Sequence, residues 1–349
     1  MNSLDLLQEL VSVPGPPGQE SRVRQVLANH MDSLGYKHST DAKGNLIVRL
    51  GKAAKSKVVV TAHMDEIALF VRQVNADGCL KVAALGGIFP WKLGEGPVTI
   101  MAGGGFFEGI LSVGSIHTES NLSSAKRAKT DVLTWDMTTV MTGLSKEELK
   151  KRGVRPGTRV VVSSSRRALT FFGDFVSGYF LDDRADLVSW LLALEALKGQ
   201  ELDVTFVATT SEEVGGEGAQ YFLTTEQPDV CIALELGPNV PDAPIVINAN
   251  PTVWVNDAYA SMPPDLGDLI ASVGEKAGIE LQFQALSRGG SDASCSAAKG
   301  LCAHPITLGL PMDNSHGYEV IHKDSMQKLA DLTVALVNAL KTLDTLVAN

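Results

Sequence analysis

Acidic and histidine side chains stand together at three places in this chain. His63-Met64-Asp65 ends a short apolar run, Asp182-Asp183-Arg184 precedes a helical pattern, and Glu212-Glu213 follows another apolar run. Imidazole and carboxylate groups are ligands of zinc, cobalt and manganese, and a carboxylate can also carry a proton during catalysis. The residue types therefore indicate a catalytic metal site.

Each cluster also has a structural explanation. In an extended strand His63 and Asp65 point the same way, so Asp65 is able to accept the second ring N–H of His63, but a plain salt bridge or turn has the same pattern. Aspartates at a helix start cap free N–H groups, although two in succession leave one to bridge two cations. Adjacent glutamates on a loop point in different directions, so one binds metal while the other accepts a proton, yet a solvated acidic turn looks similar.

Two further residues complete the set. Glu235 ends the apolar strand Cys231–Leu234, and His316 lies in a loop that contains Gly317. Taken singly, Glu235 is typical of a strand that ends at the solvent, and His316 is typical of a histidine on the protein surface. Together with the three clusters they supply imidazole and carboxylate donors without the thiolates of a structural zinc site, so the combination favours catalysis.

The elements that must position these residues alternate between strands and helices. The spacing predicts helices over Val23–Leu34, capped by Gly35, and over Leu187–Leu197, Leu266–Val273 and Met326–Leu346. Short apolar runs predict strands over Asn45–Leu50, Lys57–Ala62, Val204–Ala208, Val230–Leu236, Leu281–Ala285 and Ile306–Leu308. His63 and the glutamate pair directly follow such strands, where open α/β sheets place their ligands.

The stretch from Ala68 to Ser164 differs, with short Val, Ile and Thr segments broken by glycines. We interpret it as an inserted β-rich domain. The sequence thus predicts an α/β protein with a discontinuous main domain, residues 1–67 and 165–349, and an insertion over residues 68–164.

Composition excludes several classes of function. The net charge of −10 and pI near 5.2 repel phosphate backbones, so we expect no nucleic-acid partner. No basic segment leads into an apolar core at the start, and no apolar stretch approaches the ~18 residues of a membrane span. Four cysteines without C-x-x-C spacing indicate free thiols in a reducing compartment. We therefore expect a cytoplasmic protein that does not contact membranes.

These motifs, in this order, resemble those of the tetrahedral (TET) aminopeptidases, also called deblocking or glutamyl aminopeptidases, along essentially the whole chain. The corresponding segments are His63-Met64-Asp65, Asp182-Asp183-Arg184, Glu212-Glu213-Val214-Gly215, Glu235 and His316, with Gly289-Gly290-Ser291-Asp292 beside the site. The resemblance implies a mixed β-sheet sandwiched by helices, as in zinc aminopeptidases, with a small β-barrel-like insertion for dimerisation. It also implies homo-oligomers, in which dimers assemble into a dodecamer.

The resemblance further implies two divalent metal ions per subunit, zinc or else cobalt or manganese. One would be bound by His63, Asp182 and Glu235, and the other by Asp182, Glu213 and His316. Glu212 would be the general base and Asp65 the partner of His63. The chain departs from the family at Glu235, where Asp is usual, and this puts metal affinity and substrate preference in doubt.

The activity implied is removal of N-terminal residues from peptides. A related metal-dependent amidohydrolase, either a carboxypeptidase or an N-acyl amino acid deacylase, uses the same ligands and is the nearest alternative. Glycan hydrolysis, which needs only two carboxylates, and an inactive assembly protein are weaker alternatives. The preferred N-terminal side chain and the native metal do not follow from the sequence.

Overall fold

The computed structural model describes residues 2–53 and 55–341, and these residues form a mixed β-sheet with helices on both faces and a small closed barrel. In chain order the strands are β1 (His38–Thr40), β2 (Leu46–Arg49), β3 (Val58–His63), β4 (Ala68–Val74), β5 (Leu80–Leu85), β6 (Gly96–Ala102), β7 (Gly105–Ser112), β8 (Thr139–Met141), β9 (Arg159–Val162), β10 (Thr170–Phe172), β11 (Phe175–Gly178), β12 (Val204–Thr209), β13 (Val230–Pro238), β14 (Thr252–Asn256), β15 (Gln282–Ala285), β16 (His304–Asp313) and β17 (Glu319–His322).

The helices pack against these strands or connect them. They are α1 (Ser3–Ser12), α2 (Ser21–Leu34), α3 (Pro90–Leu93), α4 (Ser124–Arg127), α5 (Lys146–Lys151), α6 (Leu181–Ala196), α7 (Glu217–Glu226), α8 (Pro264–Ala277), α9 (Asp292–Ala297) and α10 (Ser325–Leu340), with 3-10 turns at Trp135–Met137 and Ser164–Arg166. None of the helices in the described part of the chain has the length and apolarity that a membrane crossing requires.

The large sheet has four parallel strands at its centre. Its order is β1-β2-β12-β3-β13-β16-β17-β11-β10, with β14 paired to β16 and β15 paired to β14. Strands β12, β3, β13 and β16 run parallel side by side. Their carboxyl ends therefore lie at one edge of the sheet, where the predicted site residues follow them.

Strand β3 shows why the run Val58–Ala62 is apolar throughout. Val58, Val60 and Ala62 pack in the core formed with α1, α2, α6, α8 and α10, whereas Val59 packs in the core formed with α7 and α9. Both faces of the strand are covered, so alternation of polar and apolar residues is absent. Burying one such valine stabilises the fold by roughly 1.5–3 kcal/mol.

The six strands from β4 to β9 form a closed antiparallel barrel in the order β4-β5-β8-β7-β6-β9. Strand β9 closes it by pairing with both β4 and β6. Val71, Val98 and Val160 are fully buried inside. The predicted fold class, a helix-flanked mixed sheet with a barrel-like insertion, is confirmed.

The structure corrects several predicted elements. The strand predicted as Ile306–Leu308 extends over all of β16, because it pairs with β13 from His304 to Met312 although Gly309 and Pro311 interrupt the apolar pattern. Helices α1, α7 and α9 were not predicted. Helix α2 ends at Gly35, whose φ of 78° is left-handed as predicted. The last predicted helix is α10, and its predicted end, residues 342–346, lies outside the described residues.

Candidate metal centre

The parallel strands bring the predicted site residues to one edge of the sheet. His63 ends β3 and lies beside Thr209, which ends β12 and leads into the loop with Glu212 and Glu213. Glu235 lies in β13, and His316 lies in the turn between β16 and β17. Asp182 starts α6, which packs against both β3 and β13. Residues that are distant in sequence therefore converge.

The converging side chains form two donor groups that share one aspartate. The ligand atoms of His63, Asp182, Asp183 and Glu235, here called the His63 group, all lie within 4.8 Å of one another. Those of Asp182, Glu213 and His316, here called the His316 group, do so as well. All five side chains predicted to bind metal are present, and Asp183 is an addition.

The carboxylate of Asp182 faces both histidines. Its Oδ1 lies 3.1 Å from Nε2 of His63, and its Oδ2 lies 3.3 Å from Nε2 of His316. Oε2 of Glu213 lies 3.8 Å from the same His316 nitrogen. Asp182 is thus placed between the two groups, which is the geometry of a bridging carboxylate.

Both histidines direct Nδ1 away from the donor groups. Nδ1 of His316 lies 2.8 Å from the carbonyl oxygen of Gly87, and Nδ1 of His63 lies 3.1 Å from the carbonyl oxygen of Asp65. A carbonyl only accepts, so each Nδ1 carries a proton. Each Nε2 faces Asp182, donates to it when no cation is bound, and is the nitrogen whose lone pair would bind a cation. The segment after β5 therefore orients His316, which the sequence did not indicate.

Asp65 has a second contact that the sequence did not predict. Its Oδ1 lies 3.4 Å from Nδ1 of His63, farther than the carbonyl oxygen of the same residue. Its two carboxylate oxygens accept the backbone N–H groups of Glu212 and Glu213 at 2.9 and 3.1 Å. Asp65 thus holds the glutamate loop as well as lying beside the His63 ring.

The two glutamates of this loop have different surroundings. Glu213 belongs to the His316 group, and its Oε1 is buried without a hydrogen-bond partner. Glu212 belongs to neither donor group, although both glutamates line the adjoining cavity. Only Glu213 therefore offers an oxygen to a cation of these groups, which leaves the carboxylate of Glu212 available for another role.

The aspartate pair does not cap α6. Asp182 and Asp183 have non-helical backbone angles, and the helix start has no side-chain cap. Oδ2 of Asp183 instead accepts the backbone N–H of His63 at 2.7 Å. Arg184 does not hold the aspartates, because it donates to Glu66 and to the carbonyl of Met64. The capping explanation is therefore wrong.

Burial makes the carboxylates of the site hard to ionise. Burial raises the pKa of Glu213 to about 7. The positive charge of His316 lowers this pKa in part, and the negative charge of Asp182 raises it further. Burial likewise raises the pKa values of Glu212 and Glu235 well above their usual range. Burial also opposes the ionisation of Asp182, but hydrogen bonds from His316 and His63 lower its pKa well below the usual range.

These donors fit a divalent cation. Among the described residues, no lysine or arginine forms an ion pair with Asp182, Glu212, Glu213 or Glu235. Several carboxylates buried together repel one another unless a cation lies among them. The unpartnered Oε1 of Glu213 is one atom such an ion would satisfy. Histidine and carboxylate ligands without thiolate are typical of catalytic metal sites.

Three further acids support the site, and of these the sequence indicated only Asp292, through the segment Gly289-Gly290-Ser291-Asp292. Glu319 is 1% exposed and accepts the backbone N–H groups of Asp182 and His316, and burial raises its pKa to about 8. Asp292 accepts the hydroxyl of Thr209 at 2.6 Å, and burial raises its pKa to about 6. Asp186 lies buried beside Asp183. Glu319 follows His316 by three residues and Asp186 follows Asp183 by three, but the contacts of Glu319 with Asp182 and of Asp292 with Thr209 join residues 137 and 83 positions apart, so no local pattern shows them.

A cavity of about 840 Å³ adjoins both donor groups. Its wall combines apolar side chains with the site acids and with the predicted glycine segment, of which Gly289 and Gly290 line it. Leu236, Trp254 and Leu286 supply apolar surface. The cavity can therefore hold an organic substrate beside the acids.

Comparisons with known proteins agree with this geometry. The chain matches the family model of the M42 glutamyl aminopeptidases over residues 44–332. It is 27% identical to the lysyl aminopeptidase of Pyrococcus furiosus over 97% of this chain and 98% of that protein. The structure of an aminopeptidase from Desulfurococcus kamchatkensis has a TM-score of 0.86 and 27% identity, with 99% of both chains covered.

The TET1 peptidase of Pyrococcus horikoshii is similar as well, with a TM-score of 0.85 and 26% identity over 96% of this chain and 99% of that one. The resemblance predicted from the motifs is thereby confirmed. Since the family model covers most of the sequence, this chain belongs to the M42 glutamyl aminopeptidase family.

Proposed function

We propose that the protein hydrolyses the N-terminal peptide bond of peptides with two divalent cations bound at this centre. The observation on which the proposal depends is the sharing of Asp182 between two groups of donors, each compact enough for one ion. Membership in an aminopeptidase family supplies the class of reaction.

In this proposal His63, Asp182 and Glu235 bind one cation, and Asp182, Glu213 and His316 bind the other. Asp183 belongs to the same donor group, but we assign it a supporting role because its Oδ2 already accepts the backbone N–H of His63. Imidazole and carboxylate ligands suit zinc and also cobalt or manganese.

When bound, the two cations would lower the pKa of a water held between them and polarise the carbonyl of the substrate. Glu212 is the residue that takes the proton from the attacking water and returns it to the leaving amine. Burial next to other acids raises its pKa in the metal-free site, and a carboxylate with a raised pKa is a stronger proton acceptor once it is ionised. Asp65 fixes the loop by accepting the N–H of Glu212.

The acids of the cavity also predict that the protein prefers peptide substrates with a free N-terminus. A protonated α-amine is attracted to carboxylates, whereas an acylated amine has no charge. Because related amidohydrolases use similar donors on blocked substrates, this preference is the property that separates the two activities.

We therefore expect leucine or lysine p-nitroanilide to be hydrolysed by protein that was stripped with chelator and reloaded with Zn²⁺, Co²⁺ or Mn²⁺. The N-acetylated form of the same anilide should be hydrolysed far more slowly, because it lacks the charged amine. Initial rates with matched pairs measure this, and a faster reaction with the acetylated substrate would favour a deacylase.

Glu212→Gln should lower kcat by about 10²-fold or more, because the amide is not able to accept a proton. Metal content, measured by elemental analysis, should not change, since Glu212 lies outside both donor groups. Glu217→Gln, a change of an exposed glutamate five residues away, is the matched control and should keep normal turnover. Near-normal kcat in Glu212→Gln would remove this residue from its proposed role.

Stability should depend on pH in opposite directions with and without metal. In stripped protein, Glu213, Asp292 and Glu319 have pKa values of about 7, 6 and 8, above their usual values, so the folded form binds protons more tightly. The stability they provide is complete below the usual pKa of each group and is lost as pH rises through the raised value. Each group contributes a slope of about 1.4 kcal/mol per pH unit within its own window.

Urea unfolding midpoints of the stripped protein should therefore fall between pH 5 and pH 8. With saturating Zn²⁺ the midpoint should rise over the same range, because cations bind the deprotonated donors. A stripped protein whose midpoint rises with pH would contradict the shifted pKa values.

We also propose that residues 1–67 and 165–349 form the catalytic domain and that residues 68–164, which include the barrel, form an oligomerisation domain. The TET1 peptidase of Pyrococcus horikoshii assembles into a tetrahedron or a large octahedral shell. In this chain Ile110 and Met141 are paired on neighbouring barrel strands and are 46% and 56% exposed, which gives the barrel an apolar surface for a second copy.

Sedimentation at micromolar concentration should give a mass several times the 37.1 kDa of one chain, with dimers assembling into a dodecamer. Met141→Glu should shift the distribution toward smaller species, because it places a charge in the apolar surface. A monomeric wild-type protein would contradict the proposed assembly.

A further inference from the structure

Glu319 lies next to Asp182 and His316 of the candidate metal centre, and both of its carboxylate oxygens accept hydrogen bonds. Its Oε1 accepts the backbone N–H of His316 at 2.8 Å, and its Oε2 accepts the backbone N–H of Asp182 at 3.1 Å. The residue is 1% exposed. One carboxylate therefore links the backbones of two candidate ligands that are far apart in sequence.

The two amide groups need this acceptor because neither takes part in regular hydrogen bonding. Asp182 has a ψ of 106°, which is not helical, and His316 has a left-handed φ of 59°. A buried N–H without an acceptor costs about 1–3 kcal/mol. Glu319 satisfies both donors and so stabilises the irregular backbone that directs the two side chains at each other.

Glu319 is itself held by the sheet. Its backbone pairs with Gly178 in β11, and its carbonyl oxygen accepts the hydroxyl of Ser177 at 2.6 Å. The carboxylate thus extends from a fixed strand. Because this strand is part of the sheet, the carboxylate holds the turn that contains His316 and the start of α6 in fixed positions.

We infer that Glu319 is a positioning residue that sets Asp182 and His316 at the separation required by the cation of the His316 group. This inference rests on the two-cation site proposed above. Glu319 contacts two of the three ligands in the His316 group but only the shared Asp182 in the His63 group. Loss of Glu319 should therefore weaken the binding of the cation in the His316 group much more than the binding of the cation in the His63 group.

Glu319→Gln tests this inference with little change in shape. The amide oxygen accepts one of the two N–H groups, but the amide nitrogen then faces the other and repels it. We expect about 10–100-fold weaker binding of one of the two cations, the range found when a group that orients a metal ligand is removed. Chelator competition with Co²⁺, followed by absorbance of the bound ion, gives both dissociation constants.

Glu226→Gln is the matched control. Glu226 is also buried, at 3% exposed, and accepts a backbone N–H, that of Ser56, but it pairs with Arg49 away from the metal centre. This variant should lose stability and keep both cation affinities. A selective loss in Glu319→Gln alone therefore reports on positioning rather than on general destabilisation.

A second readout does not need metal. Amide hydrogen exchange in the stripped protein should be faster at Asp182 and His316 in Glu319→Gln than in wild type. Should that variant fail to fold, Glu319→Asp keeps the carboxyl group but is one methylene too short for both amides, and it should show the same selective loss.

The outcomes separate this inference from the proposed function. A wild-type protein that does not bind two cations would overturn the two-cation proposal itself. A wild type with two cations and a Glu319→Gln variant with unchanged or equally weakened affinities would overturn the role of Glu319. A selective loss of one cation together with faster exchange would support it.

Discussion

The repulsion among buried carboxylates is the constraint on which the rest of this structure depends. Asp182 and Glu235 belong to the His63 group, and Asp182 and Glu213 belong to the His316 group. No lysine or arginine in the described part of the chain forms an ion pair with these three acids. Burial raises the pKa values of both glutamates. Protons can relieve this repulsion at low pH, but at neutral pH divalent cations do so better, so stability and metal binding depend on the same groups.

The backbone that presents Asp182, Glu213 and His316 is irregular, and its N–H groups are stabilised by hydrogen bonds to neighbouring acids. Asp65 accepts two N–H groups of the glutamate loop, Asp183 accepts that of His63, and Glu319 accepts those of Asp182 and His316. Each of these acids uses its carboxylate to hold the backbone of a candidate ligand or of the loop beside it. The acids of the site thus form two sets. One set offers oxygens to cations, and the other accepts backbone N–H groups and holds the first set in place.

The sequence predicted the donors because each follows a strand or precedes a helix in a recognisable local pattern. It also predicted the strand after which His63 lies, since a β-branched run such as Val58–Ala62 is typical of a strand covered on both faces. It did not predict the contact of Glu319 with Asp182 or that of the Gly87 carbonyl with His316, because these contacts join residues 137 and 229 positions apart. It left both a helix cap and a bridging ligand open for the aspartate pair, because capping and ligand presentation require the same residue type at the same place.

Glu235 shows how the surroundings of a residue decide what a substitution does. The related family usually has aspartate here, and an additional methylene would displace the carboxylate of a fully extended side chain. In this structure Oε1 of Glu235 accepts the N–H of the next residue, Leu236, at 2.9 Å, so the side chain bends back toward its own strand. The bend absorbs the additional length, and a donor atom of Glu235 remains within 4.8 Å of those of His63 and Asp182. The longer acid therefore still offers a donor atom to the His63 group while one of its oxygens is held by the backbone.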